Sequence, residues 1–254
     1  MVSDTSFPLL AIDAGNTRIK WGVHDGKRWL ATGATPTQES DRLAEAWRDA
    51  PPPQRAVASN VAGAQVQSHL ENACARAGIA LDVIRSEAAR LGVVNGYLEP
   101  GQLGTDRWAA LVAAHRGGKG HKLVVNVGTA LTVDALAADG RFLGGLIVPG
   151  PALMRHSLDR GTAALRLTPG SFHEFPRSTP DAIASGAVAA CVGAIERLRD
   201  AMGREGLSPA TLVLSGGGAG EIAPHLPIPF AIHENLVLDG LALIARDLKR
   251  NWPA

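Results

Sequence analysis

The chain has 254 residues, of which 46% are hydrophobic, 4% are aromatic and 19% are charged, and its formal net charge at pH 7 is +1. This length and apolar content allow one large domain or two of roughly 125 residues each. A near-neutral charge without a basic stripe excludes a nucleic-acid footprint and a polybasic membrane anchor. No apolar run approaches the ~20 residues that a membrane-spanning helix needs. We therefore expect a soluble protein that binds no nucleic acid and no membrane.

The cysteines and the opening residues indicate the compartment. Cys74 and Cys191 are too few and too far apart for a zinc site or a disulfide framework. We expect both to be buried free thiols in a reducing environment. The opening residues MVSDTSFPLL lack the basic and apolar regions of a signal peptide. Together these features predict a cytoplasmic protein.

The first half of the chain is predicted to begin with three strands, at residues 9–13, 17–24 and 28–32. Asp25-Gly26 indicates a hairpin turn between the last two. The later predicted elements are a helix at 39–50, a strand at 56–59, a helix at 64–77, a strand at 81–84, an irregular segment at 91–104 and a helix at 105–115.

After a glycine-rich linker at residues 117–120 the pattern begins again. The segment LVVNVG at 123–128 parallels LAIDAG at 10–15, and Thr129 follows the second glycine as Thr17 follows the first. We therefore predict two related β-β-β-α-β-α domains, residues 1–117 and 118–254, facing each other across a ligand-binding cleft. Chance similarity of two alternating strands is the alternative. The predicted elements of this half are strands at 123–126, 131–135, 141–148 and 211–214 and helices at 152–159, 180–202 and 235–249.

The turn after the first strand carries groups that suit a nucleoside triphosphate and its metal ion. Gly15 lacks a Cβ, so backbone N–H groups can approach an anion closely. Asp13 supplies a hard oxygen ligand for Mg²⁺, either directly or through water. An ordinary hairpin turn is the alternative. The candidate residues of this turn are Asp13, Gly15, Asn16, Thr17, Arg18 and Lys20.

The second half offers a related turn and a glycine run. The turn at 126–129 has an amide, Asn126, where the first has a carboxylate, and Thr129 can bind phosphate with its hydroxyl. A strand ends at residues 214–220, LSGGGAG, where Gly216 and Gly217 leave room for a flat ring against the backbone. Many strand-to-helix turns look alike, so the glycine run is weak support by itself.

An acid and an arginine stand together at the start of the helix predicted at 105–115. Thr105 is a candidate N-cap, and Asp106 is favourable in the first turn of a helix. Asp106 is therefore either a capping acid or a general base held ionised by Arg107. The sequence has no P-loop motif, which excludes that class of nucleotide-binding protein.

With these residues in view, the chain resembles the type III pantothenate kinases, within the larger acetate kinase, sugar kinase, Hsp70 and actin fold group. The resemblance implies an α/β fold of two duplicated ribonuclease H-like, or actin-like ATPase, domains with mixed five-stranded sheets flanked by helices. The motifs that carry it are DAGNT at 13–17, Tyr97 and Pro100 followed by GTDR at 104–107, GTA at 128–130, GG and PG within 144–150, the signature at 178–186 and SGG at 215–217.

The resemblance implies ATP-dependent phosphorylation of pantothenate to 4'-phosphopantothenate, the first step of coenzyme A biosynthesis. Asp106 is then the general base for the primary hydroxyl, and Asp13 helps to hold Mg²⁺ and the γ-phosphate. The residues expected at ATP are Asp13, Gly15, Asn16, Thr17, Arg18, Lys20, Thr129, Gly216 and Gly217. The residues expected at pantothenate are Tyr97, Gly104, Thr105, Arg107 and Thr179, the last reaching the site from the partner subunit of a homodimer.

Asn126 departs from the family pattern, which usually has an aspartate that helps to bind a monovalent cation. An amide oxygen is a weaker ligand, so K⁺ or NH₄⁺ binds differently or weakly here, or is unnecessary. Two other functions stay open at this point. One is another small-molecule kinase or a phosphatase of the same fold group, and the other is a non-catalytic nucleotide-binding regulator.

Overall fold

The computed structural model of the chain describes residues 8–162 and 168–250, which divide into two compact units. Described residues up to Gly117 and from Asn235 onward form the first unit, and those within Gly118–Glu234 form the second. No helix of the described ranges is both long and apolar enough to cross a membrane.

The elements alternate along the chain as an α/β fold requires. The strands are β1 (Leu9–Ala14), β2 (Arg18–His24), β3 (Trp29–Pro36), β4 (Arg55–Asn60), β5 (Ala80–Val83), β6 (Ala89–Arg90), β7 (Val93–Asn95), β8 (His121–Val127), β9 (Ala130–Leu136), β10 (Arg141–Pro149), β11 (Ala210–Ser215) and β12 (Phe230–Ile232). The helices are α1 (Leu43–Ala46), α2 (Ala64–Arg76), α3 (Thr105–Arg116), α4 (Pro151–Gly161), α5 (Thr179–Arg204), α6 (Ala219–Ile222) and α7 (Leu236–Arg250). Short 3₁₀ turns cover Thr37–Arg42, Pro100–Gln102 and Ala223–His225.

The sheet of the first unit has the strand order β3-β2-β1-β4-β5. The central strand β1 runs antiparallel to β2 and parallel to β4. Asp13, one residue before the end of β1, is flanked by Lys20 on β2 and by Ser59 on β4. The register therefore sets a carboxylate, an amine and a hydroxyl on three adjacent strands.

The interior of the first unit explains why β1 is apolar at nearly every position. Leu10 and Ile12 pack in one cluster with Leu70 and Cys74 of α2. All residues of β1 except Asp13 are buried, as expected for a strand that is covered on both faces. Asp13 is therefore the one acid on an apolar strand, and it lies at the edge of the core.

Five strands of the second unit lie in the order β12-β11-β8-β9-β10. β8 is antiparallel to β9 and parallel to β11, so it corresponds to β1, and Asn126 lies beside Ser215 as Asp13 lies beside Ser59. The predicted duplication and the predicted fold class of mixed sheets flanked by helices are confirmed. Both cysteines are free and buried, as predicted.

The C-terminal helix α7 belongs to the first unit, whereas the predicted domain division placed 235–254 in the second. Gly240 lies so close to Ala109 of α3 that a Cβ would overlap the Ala109 carbonyl. The indole of Trp29 donates to Asp239 over 2.8 Å, and Arg246 donates to the Gly26 carbonyl over 2.9 Å. These contacts join segments far apart in sequence, so the division predicted from chain order is wrong for this helix.

Further predictions differ from the structure. The segment at 91–104, predicted to be irregular, contains β7 and the 3₁₀ turn Pro100–Gln102. The helix expected at 39–50 is instead a 3₁₀ turn followed by the four-residue α1, because Glu39 leaves helical geometry and Leu43 and Trp47 turn into the core. The strand β12 was not predicted, since its three residues are exposed and show no periodic pattern.

Candidate active site

Asp13 is an acid whose carboxylate is only partly satisfied. Its Oδ1 is buried and has no hydrogen-bond partner among the described residues, although the residue as a whole keeps some exposure. Burial and the nearby charge of Asp106 raise the pKa of Asp13 from 3.8 to about 7, and Lys20 acts in the opposite direction. An unpartnered buried acidic oxygen suits a hard cation, so the residues present fit Mg²⁺.

Asp106 lies in the first turn of α3, and its Oδ1 accepts a hydrogen bond of 2.8 Å from the Arg107 backbone N–H. Burial raises the pKa of Asp106, while this hydrogen bond and the Arg107 charge lower it. The carboxylate thus both accepts from an N–H of the first helical turn and lies near Asp13. The capping and functional interpretations of Asp106 are therefore compatible.

Two neighbours of Asp106 shape its surroundings. A Cβ on Gly104 would lie 2.6 Å from Asp106 Oδ1, so the glycine gives the carboxylate room to fold back over the helix end. Thr105 was a candidate N-cap, but Gly104 holds that position and Thr105 is the first helical residue. The Thr105 hydroxyl instead lies 2.8 Å from Ser59 Oγ.

Arg107 and Tyr97 form a pair close to the same helix end. Arg107 is 5% exposed and donates to the Tyr97 hydroxyl over 2.8 Å. Asn95 fixes the loop that carries Tyr97, since its amide accepts from the Tyr97 N–H and donates to the Glu87 and Pro100 carbonyls. Asn95 was not predicted from the sequence. The available signal was a polar residue directly after the two valines at 93–94.

The turn between β1 and β2 is held by the backbone and by one hydroxyl. The Gly15 N–H donates to the Arg18 carbonyl over 3.2 Å, and a Cβ on Gly15 would lie 3.1 Å from that oxygen. The Thr37 hydroxyl donates to the Gly15 carbonyl over 2.7 Å. Asn16, Thr17 and Arg18 are exposed at this turn. Thr37 was not predicted to lie at this turn, because it is 22 residues away from Gly15 in the sequence.

The corresponding turn of the second unit is built from glycines. The Gly150 N–H donates to the Thr129 carbonyl over 2.8 Å, and Gly150 has no room for a Cβ beside the Gly128 carbonyl. Gly216 has a φ of +97°, and a Cβ there would lie 2.6 Å from Asn126 Oδ1. Asn126 and Gly216 are therefore neighbours, while Thr129 and Gly217 are exposed.

Thr179 is exposed as the first residue of α5. The preceding Ser178 caps the helix, since its hydroxyl donates to Asp181 over 2.6 Å and accepts from the Asp181 N–H over 3.3 Å. Asp181 also accepts from the Ser171 N–H. These bonds fix the backbone that presents Thr179.

Two features of the described residues bear on ligand binding. No group of three or more His, Cys, Asp or Glu side chains there could hold a metal ion by itself. Asp13 would therefore need oxygen ligands from a substrate or water. A cavity of about 460 Å³ in the second unit is lined by residues that include Phe172, Glu196 and His225, and none of the predicted site residues lines it.

Duplicated mixed sheets with an acid at a strand end define a protein of the actin-like ATPase fold group. A Baf family protein of Campylobacter jejuni superposes with a TM-score of 0.63 at 21% identity, covering 95% of this chain and 99% of that one. The 2-hydroxyisocaproyl-CoA dehydratase activator of Clostridium difficile, with bound ADPNP, gives 0.53 at 12% identity, covering 97% and 98%. At these identities the likeness concerns the fold.

The sequence comparisons give the family. The model of the type III pantothenate kinases matches residues 9–201. A type III pantothenate kinase of Nitrosospira multiformis is 46% identical over 240 residues, which cover 94% of this chain and 91% of the relative. The chain belongs to the type III pantothenate kinase family.

Proposed function

We propose that the chain transfers the γ-phosphoryl group of ATP to the primary hydroxyl of pantothenate, giving 4'-phosphopantothenate for coenzyme A biosynthesis. The observation that carries this assignment is the half-buried pair Asp13 and Asp106, in a chain that matches the family over most of its length. Phosphoryl transfer depends mainly on positioning and on charge stabilisation, which two acids on fixed elements can support.

Asp106 accepts the proton of the pantothenate hydroxyl in this proposal. Its raised pKa brings the carboxylate closer to neutral pH, where a general base works best. The Arg107 charge and the Arg107 N–H favour the ionised form of the carboxylate. The Gly104 backbone leaves the space in which the carboxylate moves.

Asp13 would hold Mg²⁺ through its unpartnered oxygen, directly or through water. The metal ion, when bound, neutralises charge on the transferred phosphoryl group. Lys20, beside Asp13 in the register, contributes a second positive charge. Gly15 shapes the first turn, and the N–H groups and side chains of Asn16, Thr17 and Arg18 contact phosphate oxygens in this proposal.

The second unit supplies the remaining nucleotide contacts in this proposal. The exposed Thr129 binds phosphate. The adenine ring lies against the backbone of Gly216 and Gly217, which carry no side chains. Asn126 occupies the cation position, where an amide oxygen binds K⁺ or NH₄⁺ more weakly than a carboxylate does. The buried free thiols fit a reducing compartment, so we place the reaction in the cytoplasm.

Pantothenate is held by Tyr97, Gly104 and Arg107. The Arg107–Tyr97 hydrogen bond and the Asn95 bonds give both side chains fixed positions, which lowers the entropy cost of binding. Thr179 completes the pocket from the partner subunit of a homodimer. Its exposure at the start of α5 makes it accessible to a second chain.

Detection of phosphopantothenate by mass spectrometry, after incubation with ATP, Mg²⁺ and pantothenate, tests the assignment. The expected result is product that depends on both substrates. Product from a sugar or another acid, but not from pantothenate, would assign a different kinase of the fold group. Nucleotide binding without any product would assign a regulator instead.

A subunit-complementation experiment tests the homodimer and the placement of Thr179. Thr179→Ala and Asp106→Asn chains are each expected to be nearly inactive alone. Mixed after unfolding and refolding, they should regain about a quarter of wild-type activity, because half of the dimers carry one intact site. A wild-type mixture refolded in the same way is the control. No recovery beyond the sum of the separate variants would place Thr179 in its own chain's site or outside any site.

A further inference from the structure

Ser59 is a fully buried hydroxyl for which neither the predicted motifs nor the proposed function has a use. It lies one residue before the end of β4, directly beside Asp13 in the parallel register. Its Oγ lies 2.8 Å from Thr105 Oγ1, and either hydroxyl can donate this hydrogen bond. A buried hydroxyl pair that joins a strand end to a helix start fixes one against the other.

The start of α3 is also held by the loop that precedes it, through the Arg107–Tyr97 hydrogen bond. The N-cap residue is Gly104, which has no side chain with which to cap the helix. The Asp106 carboxylate accepts a hydrogen bond within its own turn, from the Arg107 N–H. Further along α3, the Trp108 side chain is fully buried and the Ala109 backbone packs on Gly240 of α7. The Ser59–Thr105 bond joins the turn that carries Asp106 directly to β4, beside Asp13.

We propose that Ser59 is a positioning residue that, through Thr105, holds the first turn of α3 and therefore Asp106 in register with Asp13. Thr105, predicted to bind substrate, uses its hydroxyl for this anchor instead. The inference rests on the proposed role of Asp106 as the general base. A displacement of about 1 Å in a catalytic group can cost up to about 100-fold in rate, so loss of one anchor has a measurable effect.

The first experiment compares Ser59→Ala with Ser40→Ala by steady-state kinetics. Ser40 is the matched control, because it is also buried in the first unit and its Oγ lies 2.8 Å from His69 Nδ1, away from α3. Ser59→Ala should lower kcat about tenfold while KM for ATP and for pantothenate stays within about twofold. Ser40→Ala should lower the melting temperature but not kcat. Equal kcat in the two variants, at a temperature where both are folded, would overturn the proposal.

A double-mutant cycle separates anchoring from substrate binding by Thr105. If both hydroxyls act as one anchor, Thr105→Val lowers kcat as Ser59→Ala does. The kcat of the double variant then equals that of the more impaired single variant. Thr105→Ser, which keeps the hydroxyl, should retain a larger share of kcat than Thr105→Val. Additive effects, or a raised KM for pantothenate in Thr105→Val alone, would return Thr105 to the substrate.

Amide hydrogen exchange tests the anchor without any assay of activity. Ser59→Ala should speed exchange in residues 107–110 relative to wild type and to Ser40→Ala. If wild type makes no phosphopantothenate, the proposed function fails, and this measurement still decides whether Ser59 fixes the helix start. Unchanged exchange there would overturn the anchor whatever the enzyme's substrate is.

Discussion

The two strand-end turns share a backbone and differ in chemistry. Asp13 ends β1 beside Ser59, and Asn126 occupies the equivalent place on β8 beside Ser215. In the first unit a second acid, Asp106, lies near enough to raise the pKa of Asp13. In the second unit the amide instead lies against the bare backbone of Gly216. A duplicated fold can therefore keep its register while a pair of neighbouring acids is present at this place in one copy only.

The largest expected effect comes from removing Asp106, the second acid of the first unit. Asp106→Asn should lower kcat by about 100-fold or more, the scale of a lost general base, with ATP affinity nearly intact. Asp139→Asn, an exposed acid in a turn of the second unit, is the control and should keep kcat within about twofold. Near-normal turnover in Asp106→Asn would remove it from the catalytic role.

A smaller loss should follow from displacing the same carboxylate without removing it. The Cβ of Gly104→Ala would meet Asp106 Oδ1, and the end of a side chain can rotate away without unfolding the helix. We expect kcat to fall about tenfold with an unchanged melting temperature. Gly101→Ala, in the same loop with open space around its Cα, is the matched control. A parallel loss in both variants would point to the loop as a whole.

A carboxylate at position 126 tests the chemistry of the strand-end turn in the second unit. Asn126→Asp should strengthen activation by K⁺ about two- to fivefold, because a carboxylate is the stronger oxygen ligand. Activity is measured against KCl at constant ionic strength, with NH₄Cl and NaCl as parallel series. Identical salt responses in wild type and variant would argue that this position does not build a cation site.

The smallest effect is one of stability and depends on pH. The raised pKa of Asp13 means that the folded chain holds a proton that the unfolded chain releases between pH 3.8 and about 7. This group therefore lowers the free energy of unfolding as pH rises through that window. The shift bounds the penalty at about 4 kcal/mol.

Asp13→Asn removes this titration. Its free energy of unfolding, from urea titrations without metal, should rise relative to that of wild type between pH 4 and pH 7, within that bound, and then run parallel. Mg²⁺ at pH 8 should stabilise wild type and not the variant. A constant difference across the pH range would mean that Asp13 ionises normally.

The sequence alone determined the duplicated strand pattern and the motif residues. Apolar runs ending in short turns with glycine are local signals, so the strands around Asp13 and Asn126 could be predicted to within a few residues. Motif spacing also identified Asp106, because its place at a helix start follows from neighbouring residues. The roles assigned to the site residues stay predictions that the experiments above test.

Tertiary structure alone decided how those residues are supported. The Ser59–Thr105 bond spans 46 residues and the Trp29–Asp239 bond spans 210, and no local pattern predicts such pairs. The same holds for the return of α7 to the first unit and for the burial that raises the pKa of Asp13. Local pattern sets which groups stand at a strand end, whereas packing between distant segments sets their distances, solvation and charge.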